Sequence, residues 1–146
     1  MTKILIKRLS KEVSLPKYET KGSSGMDLAA NLKTGIDLKP GETVIVPTGL
    51  AVSIPNGFEA QIRPRSGLAA KKKISVLNTP GTIDSDYRGE IKIILINLGK
   101  ELFTIDKGLR VAQMVICPIT KAELEEVDDL NNTDRGDGGF GSTGIK

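Results

Sequence analysis

The chain has 146 residues, 21 basic and 18 acidic side chains and a formal charge of +3; 38% of residues are hydrophobic and 27% charged, which fits one soluble domain and leaves no room for a second full core. It has no histidine and one cysteine, so imidazole-based triads and pairs, disulfide frameworks and His/Cys zinc clusters are excluded; chemistry must run on carboxylates, hydroxyls, amides and guanidiniums, with a hard oxygen-liganded ion such as Mg²⁺ if a metal takes part. Basic and acidic residues are interspersed and aromatics are only 3%, which argues against a nucleic-acid groove, a base-stacking platform or a membrane patch.

The opening Met1-Thr2-Lys3-Ile4-Leu5-Ile6 is apolar too briefly for a signal-peptide core and no run approaches a membrane span, so a cytoplasmic protein is expected. A first strand is expected over 4–9. Ser24-Gly25-Met26-Asp27-Leu28-Ala29-Ala30, a carboxylate after a glycine, reads as a turn at a strand start. Strands over 43–47 and 51–54 follow the turn signal Lys39-Pro40-Gly41, and Pro55-Asn56-Gly57 ends them. In Phe58-Glu59-Ala60-Gln61-Ile62-Arg63 apolar and polar residues alternate, the pattern of a half-buried strand.

Arg63-Pro64-Arg65-Ser66-Gly67-Leu68 comes next. Two guanidiniums, a hydroxyl and a glycine at a helix start suit anion binding; a capped helix with solvated arginines fits the same spacing. The helix is expected over 66–73, with Ser66 as N-cap and Lys71, Lys72 and Lys73 favouring its C-terminal end. After a strand over 74–77, the segment from Asn78 to Glu90 places an amide, carboxylates, Tyr87 and Arg88 on what reads as a hairpin loop. Without histidine, Asp84 or Asp86 is the natural general base, unless the carboxylates only close an acidic turn.

The strand expected over 90–97 is apolar on both faces and needs a second burial surface, for which subunit packing is one source. Strands over 102–105 and 110–117 flank the Lys107-Gly108 turn, and Gln113 interrupts an apolar face as a structural or ligand-binding amide. Many short strands at this spacing indicate an all-β sandwich or barrel. From about 131 the chain turns glycine-rich around one aromatic, Phe140. It is either a frayed terminus or an arm that closes over a phosphate ligand. Ordering such an arm costs on the order of 1–2 kcal/mol per residue, so it would order only with a ligand to contact.

Taken together and in order, Ser24 to Ala30, Pro64-Arg65-Ser66-Gly67-Leu68-Ala69, Gly81-Thr82-Ile83-Asp84-Ser85-Asp86-Tyr87-Arg88-Gly89, Gly108-Leu109-Arg110-Val111-Ala112-Gln113 and Arg135 to Gly144 resemble the five motifs of the homotrimeric dUTPases, the dUTP pyrophosphatases. The resemblance runs from about residue 16 to 144 without a large insertion. Ser24 stands where alanine is usual, and Asp137 occupies the variable position of the tail motif.

The resemblance implies a jelly-roll-like β-barrel with one short helix, comprising a barrel domain over 1–130 and an arm over 131–146 that closes over a neighbouring subunit's site. It implies a homotrimer with three shared sites, in which water attacks the α-phosphorus of dUTP in the presence of Mg²⁺. The products are dUMP, which supplies thymidylate synthesis, and pyrophosphate. Position by position, Asp84 would orient and deprotonate the water and touch the 3′-hydroxyl. Tyr87 would lie under the deoxyribose, where its ring leaves no room for a 2′-hydroxyl. Asn78 and the loop backbone, Ile83 included, as far as Asp84 would read the uracil edge. Arg65, Ser66, Gly67 and Gln113 match phosphate ligands, and Asp27 matches an acidic residue that acts near Mg²⁺ through its water shell. From the tail, Phe140 would stack on uracil and Arg135 would meet the γ-phosphate, with Gly141, Ser142 and Thr143 completing the clasp. Arg110 would serve either the phosphates or the subunit interface. The alternatives are a zinc-free dCTP deaminase of related fold, whose loop lacks the Asp-Ser-Asp-Tyr run, and a non-catalytic nucleotide-sensing module, which has no need of Asp84.

Overall fold

Period-two alternation governs most of the chain, and the computed structural model, which describes residues 1–144, folds it accordingly; the last two positions of the arm expected over 131–146 lie outside the described residues. The elements among the described residues are β1 (Leu5–Arg8), β2 (Gly25–Ala29), β3 (Ile36–Leu38), β4 (Thr43–Ser53), β5 (Phe58–Arg63), α1 (Ser66–Lys72), β6 (Ile74–Val76), β7 (Gly81–Ile83), β8 (Glu90–Asn97), β9 (Phe103–Ile105) and β10 (Arg110–Pro118). They form two four-stranded sheets, ordered β1-β4-β8-β6 and β2-β10-β5-β7, and a small β3-β9 pair. All pairings are antiparallel. The inward residues of both large sheets, among them Leu28, Ile62 and Met114 from one and Val46, Ile93 and Leu95 from the other, share one buried cluster. This is the jelly-roll-like β-barrel. None of the helices among the described residues is long and apolar enough to cross a membrane.

Three short strands escape a reading by alternation. Residues 25–29, read as a turn at a strand start, are strand throughout, 81–83 pair with β5 instead of lying in a loop, and 36–38 pair with β9. Each draws its pairing from a distant partner, which local sequence does not display. The separate strands expected over 43–47 and 51–54 are one strand, β4, interrupted by a bulge: Pro47 pairs with Lys92 and Ala51 with Glu90, leaving three residues opposite Ile91. The bulge is bonded in place. Thr48 Oγ1 donates to Ile91 O at 2.6 Å, and Gly49 N donates to Glu90 Oε1 at 2.9 Å. Gly49 has φ +68°, and a Cβ there would lie 2.5 Å from Val13 Cγ2 and 2.6 Å from Asn31 Nδ2, so only glycine fits.

In β8, Ile91, Ile93 and Leu95 are buried in the core, while Ile94 and Ile96 on the opposite face are only half-buried. Beside Ile94 stand its β4 partner Ile45, 60% exposed, and Leu77, 53% exposed, whose N–H donates to Ile94 O. One chain therefore leaves this outer face uncovered.

At the end of β8, Asn97 is fully buried and fully bonded. Its Nδ2 donates to Leu38 O at 2.9 Å and Glu101 O at 2.8 Å, and its Oδ1 accepts from Gly99 N at 2.9 Å. Its backbone N–H donates to Glu42 O and its carbonyl accepts from Gly41 N. The amide thus ties β3, the turn before β4 and the loop before β9 to the main sheet. Asn97→Ala leaves buried backbone groups unpartnered and should cost about 2–4 kcal/mol, read as a lowered urea midpoint at unchanged m-value.

Candidate active site

Side chains from three strands and the α1 start converge at one end of the β2-β10-β5-β7 sheet. Register puts Gln113 of β10 between Asp27 of β2 and Arg63 of β5. The Asp27 carboxylate accepts from Arg65 Nε at 3.0 Å on one oxygen and from Arg110 Nη1 at 3.0 Å on the other. Arg65 Nη1 also donates to Arg110 O, and Arg110 Nη1 lies 3.5 Å from Glu19 Oε1. Gln113 Nε2 donates to Pro64 O at 2.9 Å, and its carboxamide oxygen occupies the space a Cβ at Gly25 would need. Two guanidiniums held by one carboxylate, beside an amide, form a preorganised cradle for an anion.

Ser66 is not the N-cap. The cap is Arg65, extended at φ −87° and ψ 129° and without a side-chain cap bond, so Ser66 is the first helical residue. Its exposed hydroxyl therefore stands beside the first-turn N–H groups, which lack helical acceptors. Gly67 has nothing within 4 Å of a Cβ position, so that approach is open. The helix ends one residue before the expected position 73, because Lys73 takes the left-handed conformation at φ 60°.

The second group sits on the β7 hairpin. The Thr79–Pro80 bond is cis, and the Asn78 side chain lies against Gly81, whose Cβ position is 3.2 Å from Asn78 Nδ2. Asp84 follows β7 directly and is exposed. Its turn is closed by Tyr87 N donating to Asp84 O at 3.2 Å and by Arg88 Nη1 donating to Ser85 O at 2.6 Å and Tyr87 O at 3.0 Å. The Tyr87 ring packs over Gly89 and its hydroxyl donates to Glu90 O at 3.0 Å. Sequence reasoning gives Arg88 no role; a guanidinium three residues after a turn serine is the signal that it satisfies loop carbonyls.

The two groups lie at opposite ends of β5. Ile83 pairs with Ala60, and Asp84 lines a cavity of about 260 Å³ with Phe58 and Glu59. From Glu59 to Arg65 is six residues, on the order of 20 Å at ~3.3 Å per extended residue. The tail joins neither group. Beyond Ile119, which donates to Gly57 O, every residue from 120 to 137 is exposed. Among the described residues the tail's hydrogen bonds are within it, such as Arg135 Nε to Gly138 O at 2.8 Å and Ser142 N to Gly139 O at 2.9 Å. Phe140 is fully exposed.

The five clusters thus occupy three regions of the chain, two on the barrel and one in the tail, and a family model described as dUTPase matches the chain over residues 11–144. The chain belongs to the dUTPase family. A deoxyuridine 5′-triphosphate nucleotidohydrolase from Hydrogenobaculum sp. is 56% identical over 144 residues, covering 99% of each chain. One from Rickettsia canadensis is 61% identical over 132 residues, covering 90% of this chain and 89% of its own. Among solved structures, a mutant dUTPase of Staphylococcus bacteriophage 80alpha with dUpNHpp has a TM-score of 0.88 at 28% identity, covering 99% of this chain and 100% of that one. A mutant dUTPase from phage phi11 of S. aureus, reported with the coordination of a structural Mg(II) ion, has a TM-score of 0.80 at 24% identity and covers 89% of this chain and 99% of that one.

In this dUTPase-family chain a further cavity of about 300 Å³ adjoins Asp27 and Arg110 behind segment 12–19. Lys107 Nζ bonds Glu12 at 2.9 Å across its edge, and that bond and charge hold the Glu12 carboxyl below the ordinary range. A depressed carboxylate supports the fold above its unfolded pKa and loses that support as pH falls through its folded pKa; the pair is exposed, so its contribution is small. No group of three or more His, Cys, Asp or Glu residues suited to a metal occurs among the described residues. Gly25→Ala would drive the Gln113 amide off its seat without disturbing backbone. It should weaken inorganic tripolyphosphate binding about tenfold by calorimetry and leave the urea midpoint nearly unchanged; undiminished binding would remove Gln113 from the anion cradle.

Proposed function

We propose that this chain hydrolyses dUTP to dUMP and pyrophosphate by attack of water at the α-phosphorus. The observation that carries this reading is Asp84, an exposed carboxylate on a braced hairpin in a histidine-free chain of the dUTPase family. Asp84 accepts the proton of the attacking water, a role worth about 10²–10⁴ in rate. Arg65, Ser66, Gly67 and Gln113 hold phosphate oxygens, Arg65 being preoriented by Asp27. Tyr87, fixed through its hydroxyl, excludes a ribose 2′-hydroxyl by occupying its space.

Asn78 presents both a donor and an acceptor to the uracil edge, backed by the backbone of 81–83, which is fixed by pairing with β5. A methyl group is worth only about 1–3 kcal/mol where pocket fit alone decides, so rejecting thymine depends on the stiffness of this hairpin. Phe140 stacks on the base, worth about 1–3 kcal/mol, while Arg135, Gly141, Ser142 and Thr143 close on the phosphates.

Mg²⁺ fits the donor chemistry: Asp27 offers hard oxygens beside the anion cradle, and an ion carried mainly by substrate phosphates needs no dedicated protein cage. When bound it neutralises phosphate charge. Asp27 would meet it through water while orienting the two arginines.

The active unit is a homotrimer. Asp84 and Arg65 lie too far apart on one chain to serve one phosphorus atom, and the uncovered Ile45, Ile94 and Leu77 face offers apolar surface for association. The tail then reaches a neighbour's site. The lone Cys117, with no disulfide to form within the chain, suits a cytoplasmic location.

Pyrophosphate release should be rapid with dUTP and Mg²⁺ and slow with dCTP, dTTP or UTP; ammonia release from dCTP would instead identify a deaminase. Asp84→Asn should bind dUTP nearly normally and lose about 10²–10⁴ in kcat; unchanged kcat excludes Asp84 as the base. Deleting residues from Arg135 onward should leave the urea midpoint unaltered and remove most activity, and full activity would return the tail to a frayed terminus. Sedimentation should give three times the chain mass.

A further inference from the structure

The segment between the barrel and the tail motif has a composition that the hydrolysis reading leaves unused. Between positions 123 and 129 it carries five carboxylates, interleaved with Leu124, Val127 and Leu130. Leu124 is 93% exposed and Leu130 83% exposed. A spacing of three lines these apolar side chains along one edge of any conformation with about three residues per turn, such as polyproline II. An acidic ribbon with one greasy edge is costly to leave in water and lacks the polarity expected of a plain spacer.

The barrel has a surface of matching chemistry. A groove of about 420 Å³ runs between the C-terminal end of α1 and the loop before β9, with Lys71, Lys72, Lys73 and Lys100 around it and Leu98 and Leu102 exposed within it. Its walls are fixed. Leu98 N donates to Lys73 O at 2.9 Å, Asn97 bonds both Gly99 N and Glu101 O, and a Cβ at Gly99 would lie 3.1 Å from Lys72 O. Glu101 is the one carboxylate in the lining and Lys73 Nζ is bonded to Ala70 O at 2.7 Å, so Lys71, Lys72 and Lys100 are left to give the groove a net positive field that an acidic partner neutralises.

We propose that the acidic–apolar segment 123–130 of one copy docks in the lysine-rimmed groove of a neighbouring copy. Docking there aims the following tail motif at the neighbour's site and raises its effective concentration. The proposal rests on the reading that copies share sites. It adds a recognition surface outside the residues that meet the substrate.

The test uses the full-length protein assembled from ¹⁴N- and ¹⁵N-labelled copies and treated with a zero-length carbodiimide cross-linker. Links between Lys71, Lys72 or Lys100 of one isotope and segment carboxylates of the other are expected. Same-isotope links only, or none to these lysines, overturn the proposal. In parallel, E125K/E126K/D128K should raise the KM for dUTP about tenfold with little change in kcat. Adding K71E/K72E/K100E should restore it to within about twofold, because the swapped charges attract again; failure to restore overturns the proposal. Sedimentation separates the two readings. A monomeric, fully active wild type removes shared sites and docking together, whereas a trimer without mixed links removes docking alone.

Discussion

The extended backbone of β5 is the constraint from which the rest follows. Its pairing with β7 sets Asp84 at one end, and its junction with α1 sets Arg65 at the other. A paired strand in the middle of a sheet neither shortens nor bends to bring them together. Under the proposed hydrolysis, chemistry at one phosphorus atom would therefore call for surfaces from more than one copy. In that proposal the half-covered face of β8 and the tail that projects from the barrel would be parts of the same solution.

With the ends so separated, each must be stiff on its own. At the Arg65 end, one carboxylate holds two guanidiniums, so both are oriented before a ligand arrives. At the Asp84 end, Arg88 gathers two loop carbonyls and Tyr87 is pinned over Gly89. Preorganisation of this kind moves the entropic cost from the moment of reaction to folding. The tail is the opposite case: among the described residues it is held only by local turns, and in the proposed reading the cost of ordering it would be met on ligand binding.

Much of this was legible in the sequence. Alternation located β5 and β10, an unbroken apolar run located β8, and glycine, arginine and aspartate spacing marked the Arg65 cluster and the hairpin. The double apolarity of β8 foretold a face that one chain leaves open. What stayed hidden depends on distant partners. Residues 25–29, 36–38 and 81–83 are strands only because β10, β9 and β5 lie beside them. The continuity of β4 across Gly49 depends on Thr48 and Glu90 meeting across a bulge. Ser66 reads as a cap by residue type, yet the extended conformation of Arg65 moves the helix start by one residue. The double engagement of Asp27 could not be read locally, since Arg65 and Arg110 stand 38 and 83 positions away.

The buried Asn97 also shapes how the molecule comes apart. A pair of three-residue strands such as β3 and β9 has almost no stability alone. Yet Leu38 is bonded to the Asn97 side chain, as is Glu101 just before β9, and the turn at Gly41 and Glu42 is bonded to its backbone. Opening this small sheet means unseating an amide from the main core. Peripheral segments and barrel are thereby expected to unfold as one cooperative unit, with local breathing suppressed and amide protons at the edge exchanging on the timescale of the centre.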